Sequence, residues 1–239
     1  MKNPTLPQES VEVISIIIPV KDEEAGLSYL LEDFRNSKLG QSYDVRFIFV
    51  IDIRTSDSSK IVASKFSDVI IDQKETTGKG AAVKQAVQYW KKKPSPKVIF
   101  LDADGSYSFE SVKKVILKLE DGAEIVSGSR FLMKKGRPDG MSLLHNFGNK
   151  ALSIISSMRN GRKISDLCTG LWGFRKSALD VLDIKSNGFD LEAEIAGLAR
   201  RHKIPHSEIG VEWSQRKGGT SKLRSLTDGF IIFMRILRT

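Results

Sequence analysis

A single cysteine, Cys168, stands in a chain of 239 residues. It allows no internal disulfide and no multi-thiolate metal centre, which is the pattern of a reducing, cytoplasmic protein. Histidine is scarce as well: His145, His202 and His206 form no HExxH-type pair, so any metal is expected to take oxygen ligands. No apolar run approaches the ~20 residues of a spanning helix. The stretch Met1 to Glu12 has one lysine, two prolines and no apolar run, unlike a signal peptide. Repeats, low-complexity linkers and a clear domain boundary are also missing, so residues 1–239 read as one domain.

What the chain has in excess is positive charge. Lys and Arg outnumber Asp and Glu 38 to 29, a net +9, and the pI is near 9.5. That balance calls for anionic partners: nucleic acid, an anionic membrane surface or phosphorylated small molecules. No nucleic-acid motif is present, and the acidic cluster described below would repel a phosphate backbone unless a metal intervened. A hydrophobic content of 40% is enough for a proper core.

Short β-branched runs alternate with helix-period segments through the first half. The runs are Val13–Pro19, Val45–Ile51, Asp68–Ile71, Lys97–Leu101 and Glu124–Ser127. Helices are expected at Glu24–Asn36, Ser58–Phe66 (capped by Asp57), Gly80–Trp90 and Glu110–Leu119. This predicts an α/β, Rossmann-like, mostly parallel sheet. Further on, the pattern predicts helices at Leu143–Met158 and Leu191–Arg201, strands at Gly170–Phe174 and Glu208–Trp213, and helical periodicity over Leu226–Leu237.

Ligands of open α/β sheets bind beyond the carboxyl ends of the strands, and those ends are acidic. After the first strand comes Pro19-Val20-Lys21-Asp22-Glu23-Glu24, after the second Asp52, and after the fourth Asp102-Ala103-Asp104-Gly105-Ser106. Two aspartates flanking a small alanine suit a hard cation that shares its shell with substrate phosphates. A D-x-D in a turn is common, but its place after an apolar strand lifts it above chance. Gly78-Lys79-Gly80 fails the Walker and dinucleotide patterns; it leaves a lysine at a helix start that meets a diphosphate or simply packs there. Arg130, after Gly128-Ser129, points to the same edge, where it serves phosphate recognition or an ion pair.

The strand-Pro19-Val-Lys21-Asp-Glu23-Glu opening, Asp102-Ala103-Asp104, Gly128-Ser129-Arg130, the run from Asp166 to Arg175 and Gly219-Thr-Ser221-Lys222 together resemble family 2 glycosyltransferases of the GT-A fold. The resemblance is greatest to the dolichyl-phosphate mannose synthase and glucosyltransferase branch, from about Val13 onward. It implies a single GT-A domain whose residues 13–130 bind a nucleotide sugar, GDP- or UDP-hexose, and whose residues 131–239 form the acceptor half. Pro19, Lys21, Glu23 and Asp52 would line the nucleoside pocket. Asp102 and Asp104 would hold Mg²⁺ or Mn²⁺ and the diphosphate, with Ser106 at a position where relatives often have a metal-assisting glutamine. Arg130 would face an acceptor phosphate, and Arg216, Ser221 and Lys222 would lie on a closing loop hinged at Gly218-Gly219. Two departures stand out: Ile53 replaces a carboxylate that commonly reads the base, and Met141 stands near an arginine of the mannose type, for which Arg137 is a candidate substitute.

A phosphate acceptor is already anionic and needs no base, whereas a hydroxyl acceptor wants a carboxylate such as Asp190, Glu192 or Glu194; Asp190 also reads as a helix N-cap. Leu143–Met158 and Gly229–Leu237 carry apolar residues flanked by cations, the composition of interfacial helices or of helices that cap the core. The expectation is a metal-dependent hexosyl transfer to a polyprenyl or dolichyl phosphate, peripheral on the cytoplasmic face of a membrane, with the inversion that the resemblance implies. The alternatives are a family 2 transferase acting on a glycan or small-molecule hydroxyl, and a non-catalytic nucleotide-binding scaffold.

Overall fold

The computed structural model describes residues 11–67, 69–73, 76–133, 136–224 and 226–239. Asp68, the expected start of the third strand, and residues 1–10 of the N-terminal stretch lie outside the described residues. In chain order the first half holds β1 (Val13–Val20), α1 (Glu24–Asn36), α2 (Leu39–Ser42), β2 (Asp44–Asp52), α3 (Ser59–Ser64), β3 (Ile70–Gln73), α4 (Lys79–Trp90), β4 (Lys97–Leu101), α5 (Phe109–Glu120) and β5 (Ile125–Ser129). The second half holds α6 (Leu143–Asn160), β6 (Leu171–Arg175), α7 (Lys176–Val181), α8 (Leu191–Arg201), β7 (His206–Gly210) and α9 (Thr227–Arg238).

The seven strands form one sheet in the order β3-β2-β1-β4-β6-β5-β7. β1 pairs in parallel with both β2 and β4, so the strand order reverses at β1, and the crevice of an open sheet lies there. One strand runs the other way: β6 is inserted antiparallel between β4 and β5. Its reversed direction brings the segment before it, Asp166 to Gly170, to the edge where β4 and β5 end.

The strands are apolar on both faces because helices cover both. Ile14, Ile16 and Ile18 of β1 and Phe47 and Phe49 of β2 pack with α1 and α5, while Ile17, Ile48 and Val50 pack with α4 and α8. Each fully buried isoleucine or phenylalanine contributes roughly 1.5–3 kcal/mol of transfer free energy, which makes this sheet a rigid floor for the loops above it. The strand expected at Glu208–Trp213 starts earlier, at His206, and ends at Gly210. Trp213 lies beyond β7 and bridges Tyr107, drawing the chain across the end of β4.

α6 shows an unusual distribution of polarity. Ser142 caps it by accepting a hydrogen bond from the His145 backbone N–H at 3.2 Å, and Gly161 ends it at φ 65°. Its buried residues are Asn149, Ser153, Ser156 and Asn160, and its exposed ones include Leu143, Leu144, Phe147, Ile154 and Met158. The polar face is buried because it completes the backbone of the loop before β6. Asn149 accepts from Cys168 N–H at 3.1 Å and Ser153 from Leu167 N–H at 2.9 Å. The apolar residues that made this segment a candidate for covering the core therefore point outward in large part. α9 packs beside α6 and buries Ile232 and Ile236, while Phe230 and Ile231 stay exposed.

Candidate active site

A cavity of about 930 Å³ opens at the carboxyl edge of the sheet. Pro19, Lys21, Glu23, Asp52, Lys79, Asp102, Ala103, Asp104, Ser106, Arg130, Arg216, Ser221 and Lys222 all line it. It extends from the ends of β1, β2 and β3 past the Asp102–Asp104 turn to Leu144, Leu152, Leu226 and Phe233 of the α6–α9 region.

The turn is held from two sides by glycines that admit no side chain. A Cβ on Gly26 of α1 would stand 2.6 Å from Asp104 Cα, and one on Gly170 would stand 1.9 Å from Asp102 Oδ2. Asp104 Oδ1 accepts the Ser106 backbone N–H at 3.0 Å, which fixes the carboxylate rotamer. The Ser106 side chain itself is buried.

Lys79, considered for a diphosphate contact, lines the cavity and bridges two carboxylates. Its Nζ lies 2.7 Å from Asp102 Oδ1 and 2.7 Å from Glu192 Oε1. Burial works against its charge, but the two carboxylates outweigh burial and hold it protonated. Among the described residues no cluster of three or more His, Cys, Asp and Glu is placed to hold a metal. The available donors, Asp102 and Asp104, suit a hard cation that keeps one or two carboxylates and completes its shell with substrate phosphates. A divalent ion therefore fits this site in company with a diphosphate.

The loop expected to close over the site is seated on it. Arg216 Nη2 donates to Glu23 Oε1 at 2.5 Å and lies 3.7 Å from Asp104 Oδ2, while Nε donates to Gly218 O. Lys217 N–H donates to Asp104 O at 3.0 Å, and its ammonium lies 4.5 Å from the centre of the Tyr29 ring. Burial pushes the Glu23 carboxyl up to about 7, against the pull of Arg216, and Asp104 adds to the rise. Glu23 Oε2 has no hydrogen-bond partner among the described residues.

Arg130 reaches the cavity already engaged. Nε and Nη2 each donate to Asp166 at 2.7 Å, and Nη2 also donates to Cys168 O at 2.8 Å. Asp166 is fully buried and also accepts from Asn149 Nδ2 at 2.6 Å. The two-pronged fork is thus spent inside the protein, leaving Nη1 as the part of the guanidinium outside the Asp166 pair. Arg137, considered as a second acceptor-side arginine, is exposed and is not part of the cavity lining, whereas Met141 is.

At the end of β2 Asp52 is bound by Arg54, a residue the sequence pattern did not single out. Arg54 Nε and Nη2 donate to Asp52 at 2.9 and 2.7 Å, and its backbone N–H donates at 2.8 Å. These bonds hold Asp52 below the usual carboxylate range in spite of burial. Ile53, at the position of the missing carboxylate, points outward with 64% exposure.

The three candidate bases are all engaged. Asp190 sits at the N-cap position of α8 but makes no capping bond. It accepts from Ser186 Oγ and, at 2.7 Å, from Arg235 Nε. Burial raises it, and those two donors more than offset the rise. Glu194 accepts from Arg235 and from the backbone of Lys185 and Ser186. Glu192 alone lines the cavity, paired with Lys79. Asp57 performs two tasks: it accepts from Ser59 N–H ahead of α3 and from Glu24 N–H at the start of α1.

Comparison with known proteins bears on the fold and the family. A dolichyl-phosphate hexose transferase of Haloferax volcanii is 27% identical over 226 residues, covering 94% of this chain and 92% of its own. Glycosyltransferase AglJ of the same organism is 25% identical over 228 residues, covering 95% and 72%. Among solved structures, glucosyl-3-phosphoglycerate synthase of Mycobacterium tuberculosis, crystallised with Mn²⁺, UDP-glucose and phosphoglyceric acid, shares the fold. Its TM-score is 0.67 at 16% identity over 95% of this chain and 79% of that one. The family model for glycosyl transferase family 2 matches residues 15–183. The chain belongs to glycosyl transferase family 2.

Proposed function

We propose that the chain transfers a hexosyl group from a nucleotide sugar, UDP- or GDP-hexose, to a polyprenyl or dolichyl phosphate, with inversion and with Mg²⁺ or Mn²⁺. The observation that carries the reading is the inside-out α6 beside a cavity that runs from Asp102 and Asp104 to Leu144 and Leu152 of α6 and Phe233 of α9. Residues 13–130, joined by Arg216, Ser221 and Lys222, serve the donor, and the rest of residues 131–239 the acceptor. The name of the Haloferax hexose transferase supports a dolichyl-phosphate acceptor, and the Mycobacterium structure of the same fold holds UDP-glucose.

Departure of a nucleoside diphosphate builds negative charge on its terminal phosphate. Asp102 and Asp104 would hold a divalent ion, which would supply Lewis-acid neutralisation of that charge. Arg216 and Lys222 are the chain's own cations beside it; Arg216 exchanges its Glu23 contact for phosphate oxygen when the donor binds. Pro19, Lys21, Glu23, Asp52, Ala103 and Ser221 shape the donor pocket, and Ser106 fixes Asp104. Lys79 orients Asp102. Arg130, held by Asp166, presents Nη1 and a fixed positive charge to the acceptor phosphate, which attacks without a base.

Among the described residues no helix is long and apolar enough to cross a membrane. Exposed Phe147, Met158, Leu226 and Phe230, with Lys150, Arg159 and Arg238 nearby, suit interfacial docking on an anionic, cytoplasmic leaflet. A second reading, a hydroxyl acceptor, is favoured by one observation: Glu192 is a buried cavity carboxylate raised by desolvation against the pull of Lys79. Labelled UDP- and GDP-hexoses, Mg²⁺ and anionic vesicles carrying polyprenyl phosphate test the proposal. Label is expected in the organic extract and absent with Asp104→Ala; label reaching only soluble acceptors would reject it.

A further inference from the structure

The nucleoside end of the cavity presents hydrogen-bond donors where an acidic residue would present acceptors. Asp52 is 5% exposed in its side chain and receives three hydrogen bonds from Arg54 alone. An ionised carboxylate has about four lone-pair sites, so little acceptor capacity remains for a base. Arg54 is 52% exposed and lines the cavity. Asp52 engages its Nε and one Nη2 hydrogen, and a guanidinium has five N–H groups, so the outer edge with Nη1 lies outside the pair. Lys21, the other cation at this end, is a donor too, and Ile53 offers no polar atom.

We propose that Arg54 reads the nucleobase of the donor, and reads it as a hydrogen-bond donor that selects a ring carbonyl over a ring amino group. Uracil presents O4 where cytosine presents an amino group, and guanine presents O6 where adenine does. Uridine and guanosine diphosphates are therefore the accepted class, and cytidine and adenosine diphosphates are disfavoured. A planar fork already pinned by Asp52 loses little freedom on meeting an acceptor edge. Removing it would also uncover the Asp52 carboxylate, an acceptor that welcomes an amino group, so the preference should collapse or reverse.

This inference rests on the donor-site reading and is tested separately from it. Titration calorimetry in Mg²⁺ with UDP, CDP, GDP, ADP and inorganic pyrophosphate is run on the wild type, Arg54→Ala and Arg54→Lys. The wild type is expected to bind UDP over CDP, and GDP over ADP, by about tenfold or more, the size of one good base-edge contact. Both variants are expected to lose these ratios while pyrophosphate binding is unchanged. Arg54→Lys keeps a cation opposite Asp52, so it carries the test if the alanine variant does not fold. Ratios that survive in Arg54→Lys, a wild type that shows none, or a parallel loss of pyrophosphate binding would overturn the inference. A wild type that binds neither pyrophosphate nor any nucleoside diphosphate would overturn the donor-site reading, and the inference with it.

Discussion

Lys79 Nζ lies 2.7 Å from Asp102 Oδ1, so the first aspartate of the Asp102–Asp104 turn is neutralised by the chain's own cation. The same ammonium holds Glu192, whose side chain is 8% exposed. Lys79→Ala would leave two carboxylates facing each other without a counter-charge. A loss of about 3 kcal/mol in unfolding free energy is expected, the lower end for breaking a buried pair because Asp102 is partly solvated. Denaturant unfolding measures it, and a loss below about 1 kcal/mol, the range of an exposed pair, would contradict the bridge.

The inversion of α6 makes an expectation opposite to its hydropathy. Phe147→Glu together with Phe230→Glu should change stability by no more than about 0.5 kcal/mol, since both residues are exposed, yet abolish flotation with anionic vesicles. Asn149→Leu, an apolar replacement, should cost about 1–3 kcal/mol because Cys168 N–H loses its acceptor and Asp166 one of its donors. Circular dichroism melts and vesicle flotation at low salt separate the two effects.

Asp166→Ala would strand the Arg130 guanidinium in a buried site. The expected cost is about 3–5 kcal/mol, with Asp166→Asn milder because an amide oxygen still accepts one bond. Wild-type stability of Asp166→Ala in denaturant would show that the pair holds nothing in place.

Glu23 gives a pH dependence of definite sign. Its carboxyl rises from an ordinary 4.5 to about 7 on folding. The folded state therefore holds the proton more tightly, and this group's stabilising contribution is fully present below pH 4.5 and lost as pH rises through 7. Glu23→Gln should remove that component: the variant gains stability relative to the wild type between pH 5 and pH 8. Unfolding free energies of both proteins at the two pH values check it, because other titrations cancel in the difference.

Much of this was legible from residue order. The β-branched runs and their acidic ends placed the five first-half strands and the cavity edge, since burial on both faces demands continuous apolar strands. α1, α8 and β4 have the expected bounds. The four-residue α2 and six-residue α7 are too short to show a period. Strand direction left no mark either, so the antiparallel insertion of β6 appears only when β4 and β5 compete for its edge. Periodicity located the apolar stripe of α6 but not the side it faces, which the backbone of the Ile164–Cys168 loop decides by recruiting Asn149 and Ser153. The engagement of Lys79 by Glu192, 113 positions away, and the reach of Arg54 back to Asp52 are outcomes of three-dimensional packing.

The nature of the attacking group is the point on which the proposed function turns. Its most direct test compares polyprenyl phosphate with polyprenol of the same chain length under saturating nucleotide sugar and Mg²⁺, reading kcat/KM for lipid-linked product. With Asp190 and Glu194 held by Arg235 and Glu192 by Lys79, turnover is expected with the phosphate and none above background with the alcohol. Comparable turnover of polyprenol, abolished by Glu192→Gln, would contradict the phosphate acceptor and establish a base-assisted transfer to a hydroxyl.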